Sequence, residues 1–190
     1  MNIGILGSIG VGKTTLAEIL HKKYKYPIVS EPVEVNPYLD KFYQDSKKYG
    51  TITQMFFLIS RYEIMRDLDS VAKIYDRTIY EDHVFADIQH EYGNIDDTDY
   101  ATYEKYYNLM VNLLPAPDVI IYLYAPVNVL IERIKKRGRK CEEKITDEYL
   151  QKLEVHYENL YKKLTDTGIK IEKIEWTDFD LNKIYSVIDA

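Results

Sequence analysis

The sequence predicts an α/β protein built on a parallel five-stranded sheet with helices on both faces. Three observations predict it. Short apolar runs alternate with longer amphipathic stretches along the whole chain. The runs are apolar on both sides, as strands covered on two faces should be. A glycine-rich turn stands between the first run and the first amphipathic stretch. The strands are expected at Asn2–Leu6, Pro27–Ser30, Lys73–Tyr75, Val119–Leu123 and Lys170–Glu175. Helices are expected over Lys13–Tyr24, Thr53–Asp69, Ile79–Glu91, Tyr100–Leu113, Val127–Lys136, Asp147–Leu164 and Asp180–Ile188. No repeat, linker or low-complexity block interrupts them, so residues 1–190 read as one domain.

The turn is Gly7-Ser8-Ile9-Gly10-Val11-Gly12-Lys13-Thr14, which fits G-x-x-x-x-G-K-[ST]. Strand, loop and helix stand in the order that this phosphate-binding P-loop requires. Glycines let backbone N–H groups wrap a phosphate, and the following helix adds the partial positive charge of its N-terminus. Lys13 can reach the β- and γ-phosphates of ATP, and the Thr14 hydroxyl can ligate Mg²⁺. Thr15 and Arg133 complete the expected ATP-binding set. The fold expectation thereby sharpens to the P-loop NTPase type.

Composition narrows the partners. Net charge is −6 and the pI is about 5.3, so no sequence-wide basic balance argues for nucleic acid. The single cysteine, Cys141, excludes an intrachain disulfide and points to a reducing compartment. No apolar stretch approaches the ~20 residues of a membrane helix, and a strand rather than a signal peptide opens the chain. A cytoplasmic protein that acts on small molecules is expected.

In parallel α/β sheets ligands gather beyond the C-terminal ends of the strands. Charged residues follow four of the predicted strands. Glu31-Pro32-Val33 follows the second; Glu31 can take the proton of an acceptor hydroxyl or serve as a solvated helix-capping acid. Asp76-Arg77-Thr78 follows the third; Asp76 can hold Mg²⁺ and Arg77 a substrate or phosphoryl oxygen, or the two can form a salt bridge. Arg133, Arg137 and Arg139 line the helix after the fourth strand and its exit, with Glu142 and Glu143 beyond. With Gly138 as a hinge, residues 137–145 can form a lid that closes over phosphates. The alternative is a basic helix end favoured by the macrodipole. Cys141 reads as an incidental thiol.

These motifs, in this order, resemble the deoxyribonucleoside kinase family, particularly its deoxycytidine, deoxyguanosine and bacterial deoxyadenosine kinase members. The resemblance covers nearly the whole chain. It implies that Glu31 is the general base on the 5′-hydroxyl, that Arg77 belongs to the (Glu/Asp)-Arg-Ser motif, and that Arg137-Gly138-Arg139 with Glu142 is the lid. It further implies that Tyr43 and Glu142 bind the sugar 3′-hydroxyl, and that Gln54, Arg61 and Asp82 read the base. A homodimer formed by helix packing is implied in the same way. Thr78 departs mildly from the usual serine. Asp76 is a methylene shorter than the glutamate of animal members, which bears on direct metal contact. The absence of terminal extensions resembles a compact bacterial form.

The implied reaction is ATP-dependent 5′-phosphorylation of a deoxynucleoside, with Glu31, Arg77, Lys13, Arg137 and Arg139 as the catalytic set. A Gln amide pairs bidentately with adenine N6/N7, and an ionised Asp82 accepts from an exocyclic amine but repels a thymine O4. Deoxyadenosine is therefore the first expectation, with deoxycytidine and deoxyguanosine next. A nucleoside monophosphate kinase such as a thymidylate kinase is the rival, but the anionic Glu31 suits a phosphate acceptor poorly. No D-x-x-G or N-K-x-D motif supports a regulatory NTPase.

Overall fold

The computed structural model describes residues 1–30, 36–66, 71–139, 142 and 145–190. The chain folds into two compact units. The first comprises Met1–Val29, Val71–Arg77 and Pro117–Ala190, and the second Ser30–Ser70 and Thr78–Ala116.

The first unit carries the whole sheet. Strands β1 (Ile3–Gly7), β2 (Ile28–Val29), β3 (Ile74–Asp76), β4 (Val119–Tyr124) and β5 (Ile171–Glu175) run parallel in the order β2-β3-β1-β4-β5. All five expected strands are present, with no end displaced by more than one residue. β1 is central and buried throughout, whereas β5, at an edge, buries only Ile171 and Ile174. The chain winds to one side of β1 through β2 and β3, then to the other through β4 and β5. That reversal opens a crevice at the C-terminal end of β1, where the P-loop begins.

Four helices belong to this unit: α1 (Lys13–Tyr24), α6 (Val127–Arg137), α7 (Asp147–Asp166) and α8 (Leu181–Ile188). α1 packs on β1, β2 and β3, while α7 and α8 pack on β5. α1 has no acidic residue in its first turn and ends in His21, Lys22 and Lys23. This polarity leaves its N-terminus open to an anion and complements the dipole at its other end. Leu150, Leu153, Tyr157, Leu160 and Leu164 form the buried stripe of α7.

The second unit is helical: α2 (Leu39–Gln44), α3 (Ser46–Met65), α4 (Tyr80–Glu91) and α5 (Asp97–Leu113). α3 packs against α2, α4 and α5. It starts seven residues before the expected Thr53. Asp45 caps it by accepting from the Lys48 N–H at 3.1 Å, and Gly50 lies inside it. Glycine weakens a helix, but a Cβ at position 50 would stand 2.4 Å from the Asn94 carbonyl oxygen. The close approach of backbone to backbone explains a residue that, by sequence, argues against helix there. α3 ends at Met65 with Arg66 as its cap, short of the expected Asp69, and residues 67–70 lie outside the described residues. α5 starts three residues before the expected Tyr100, because the Asp96 carboxylate caps it through the Asp99 N–H. Among the described residues no helix is long and apolar enough to cross a membrane.

Candidate active site

The P-loop runs from the end of β1 to the start of α1. Gly7 has φ +147°, and a Cβ there would stand 2.4 Å from the Leu123 carbonyl oxygen of β4. Only glycine fits where β1 turns away from its neighbour. Ser8 is buried, Ile9 and Gly10 are half-buried, and Val11 is fully buried. Gly12 caps α1 in the left-handed region. Lys13 is buried, and its ammonium donates to the carbonyls of Gly7 at 2.6 Å and Ser8 at 3.0 Å. These carbonyls offset the cost of burying the charge. Thr14 and Thr15, in the first turn of α1, are exposed.

Asp76 closes β3 beside β1. The Thr14 hydroxyl donates to its Oδ2 at 2.6 Å, so the two expected metal ligands meet. This donor set is made of hard oxygens, which suits Mg²⁺. Among the described residues no group of three or more His, Cys, Asp or Glu side chains is arranged to hold a metal.

Arg77 adopts φ +81°, a left-handed conformation unusual for a side chain this large. Its backbone N–H donates to the Ile5 carbonyl at 3.2 Å, and its Nη1 donates to the Tyr157 hydroxyl at 3.1 Å. In α6, Arg133 Nη1 donates to the Val11 carbonyl at 3.0 Å. Its Nη2 donates to the carbonyls of Trp176 at 2.9 Å and Thr177 at 3.0 Å. The guanidinium also lies over the Phe179 ring, 4.6 Å from its centroid, and burial lowers its pKa. Arg133 thereby joins the P-loop to the turn after β5. At the end of α6, Arg137 makes a two-pronged pair with Glu142, through Nε at 3.1 Å and Nη2 at 2.7 Å. Arg139 approaches the same carboxylate at 3.7 Å. Three of the expected lid residues are thus brought together.

In the second unit, Gln54 and Arg61 lie on the buried face of α3, one above the other at i and i+7. Arg61 Nε donates to both oxygens of Asp82 on α4, at 3.1 and 2.8 Å, with the two side chains only 5% and 4% exposed. Two tyrosines of α5 belong to the same neighbourhood. Burial, reinforced by the Asp82 charge, pushes the phenols of Tyr103 and Tyr107 up, so both stay protonated. Tyr107 donates to the Tyr80 carbonyl at 3.3 Å, whereas the buried Tyr103 hydroxyl has no partner among the described residues. Tyr43, on α2, is 48% exposed, with its ring edge-on to Phe42 at 5.7 Å. Glu31, the expected base, lies outside the described residues, as do Cys141, Glu143 and Lys144 of the expected lid.

A family model described as "Deoxynucleoside kinase" matches residues 3–188. The chain belongs to the deoxynucleoside kinase family. The kinase is 41% identical over 194 residues to a deoxyadenosine kinase of Dictyostelium discoideum, covering all of this chain and 78% of the relative. It is 38% identical over 186 residues to a deoxyguanosine kinase of Bacillus subtilis (strain 168), covering 95% of this chain and 90% of that one. Among solved structures, the deoxyadenosine kinase from M. mycoides with bound dATP superposes with a TM-score of 0.87 at 34% identity, each chain covered in full. The protein is a phosphotransferase with a P-loop NTPase-like fold that uses ATP to phosphorylate nucleosides.

Sequence reasoning missed several side chains around the kinase's P-loop and β3. Trp176 and Phe179 pack on each other, 5.2 Å between ring centroids, and frame Arg133 after β5. Tyr157 reaches Arg77 from α7. Arg133 stands 43 residues from Trp176, and Arg77 stands 80 residues from Tyr157, so no local spacing announces them. The one available signal was Tyr157 itself, a polar-tipped residue in the middle of a leucine stripe.

Proposed function

We propose that the kinase transfers the γ-phosphoryl group of ATP to the 5′-hydroxyl of deoxyadenosine, and of deoxycytidine and deoxyguanosine less readily, in cytoplasmic nucleotide salvage. The observation that carries the base preference is the buried Arg61–Asp82 pair on α3 and α4. Arg61 holds Asp82 ionised, which makes it an acceptor for an exocyclic amine and a poor neighbour for a thymine O4. Gln54, buried on the same face of α3, suits the N6/N7 edge of adenine.

The phosphoryl donor is assigned to the residues of the first unit. Backbone N–H groups of Gly7–Thr14 and the Lys13 ammonium take the phosphate oxygens. Thr14 and Asp76 would hold Mg²⁺, which supplies positive charge to the β- and γ-phosphate oxygens when bound. Arg77, Arg137 and Arg139 neutralise the equatorial oxygens of the transferring group. Glu31 orients the 5′-hydroxyl and accepts its proton as the new O–P bond forms, and ADP leaves with the electrons of the broken bond. The loose character of this transition state makes positioning and charge the main contributions of the protein.

Steady-state kinetics with ATP, Mg²⁺ and each of the four deoxynucleosides tests the reading. Amine-bearing substrates are expected to exceed thymidine in kcat/KM by about 10²-fold or more. A panel in which thymidine is best overturns the base assignment. In the same assay Glu31→Gln is expected to lower kcat about a hundredfold with little change in KM. Near-normal turnover of that variant removes Glu31 from the chemistry.

The kinase is further proposed to act as a homodimer. Ile52 and Ile59 on α3, and Tyr106, Leu109 and Leu113 on α5, are large apolar residues exposed at helical spacing, which suits packing against a second copy. Sedimentation at micromolar concentration should give twice the chain mass of 22.5 kDa; a monomer there refutes the dimer.

A further inference from the structure

We propose that Tyr157 is a positioning residue for Arg77, aiming its guanidinium for phosphoryl transfer; the inference rests on the reading that Arg77 assists that transfer. Three observations lead to it. The first is the contact: Arg77 Nη1 donates to the Tyr157 hydroxyl at 3.1 Å. The second is the backbone of Arg77. A φ of +81° on a non-glycine residue persists only where the surroundings hold it, and such residues concentrate at functional sites. The third is the position of Tyr157. The buried stripe of α7 reads Leu150, Leu153, Tyr157, Leu160, Leu164, so one hydroxyl stands in an otherwise aliphatic row. Tyr157 is 1% exposed, and apolar packing there gives no reason for a phenol in place of a phenyl ring.

The ring is fixed independently of its hydroxyl. It stacks on Tyr122 of β4, with centroids 5.9 Å apart and planes at 15°. Tyr122 is anchored in turn, donating to Glu158 Oε1 at 3.2 Å, and the same carboxylate pairs with Lys173 on β5. A rigid strand and a rigid helix therefore hold the oxygen that Arg77 meets. An arginine fork works by direction as well as charge, and committing one N–H to a fixed acceptor sets the plane of the others. The arrangement lowers the reorganisation needed when charge develops on the phosphoryl oxygens.

Tyr157→Phe removes only the hydroxyl and keeps the ring on Tyr122, so the variant is expected to fold. Its kcat should fall about tenfold while KM for ATP and for the nucleoside each change less than about twofold. Its thermal midpoint should stay within a few degrees of the parent's, and kcat is to be expressed per active site by titration. Arg77→Lys should itself be impaired, and adding Tyr157→Phe to it should cost nothing more, because the two act as one unit. An unchanged kcat for Tyr157→Phe, or equal independent losses in the two backgrounds, overturns the proposal. Impaired Arg77→Lys beside a normal Tyr157→Phe refutes the tyrosine alone. Full turnover of Arg77→Lys removes Arg77 from the chemistry and the proposal with it.

Discussion

Lys13→Met is expected to lower kcat by about 10³-fold and to raise KM for ATP about tenfold, with little loss of stability. The Lys13 ammonium is buried and donates to the carbonyls of Gly7 and Ser8, at the mouth of the loop proposed to hold the triphosphate. When a γ-phosphoryl group leaves ADP, negative charge shifts toward the β–γ bridging oxygen, and a preorganised ammonium in a water-poor site stabilises that shift far more than water does. Methionine has nearly the length and volume of lysine and no charge. The desolvation cost of the buried ammonium disappears with the charge, which offsets the loss of its two carbonyl hydrogen bonds. The expected signature is therefore catalytic collapse without a matching drop in melting temperature. A methionine variant within tenfold of the parent in kcat would remove Lys13 from the chemistry.

Lys13 was legible in the sequence, and the reason is local. The P-loop signal is a covalent spacing of eight residues, Gly7 to Thr14, set between an apolar run and an amphipathic one, and no distant contact is needed to read it. The strands were legible because two-sided burial writes itself as short apolar runs. Their ends were not. β1 extends to Gly7 because Gly7 pairs with Leu123, a partner 116 positions away, and propensity at a glycine gives no hint of that. α2 went unseen because its six residues make fewer than two helical turns, too few to write a period. The arginines divide in the same way. Arg61 and Asp82 were singled out by the family resemblance, and the structure joins them at 2.8 Å. Arg133 was found too, but its three carbonyl partners belong to Val11, Trp176 and Thr177, and no sequence pattern records where a guanidinium spends its donors.

Asp82→Asn is expected to abolish base discrimination, cutting the preference for amine-bearing deoxynucleosides over thymidine by about 10²-fold, and to destabilise the protein by about 2–4 kcal/mol. Both effects follow from one exchange. Arg61 Nε reaches both Asp82 oxygens, and with side chains 5% and 4% exposed the pair has almost no water to fall back on. Asparagine keeps one acceptor oxygen but removes the charge that compensates the guanidinium, and a buried pair broken from one side loses far more than an exposed one. At the ligand, the carboxylate is acceptor-only, whereas the amide offers an acceptor and two donors. An asparagine can turn its NH₂ toward a thymine O4 that Asp82 would repel, and the penalty on thymidine disappears. The two consequences separate cleanly in the measurement. Partial unfolding lowers the active fraction by the same factor for every nucleoside, so it cancels in a ratio of kcat/KM values. A changed ratio reports the base contact alone, while the melting temperature reports the ion pair. A lower melting temperature with an unaltered nucleoside ratio would leave Arg61–Asp82 a structural pair of the helical unit and shift base choice to other residues.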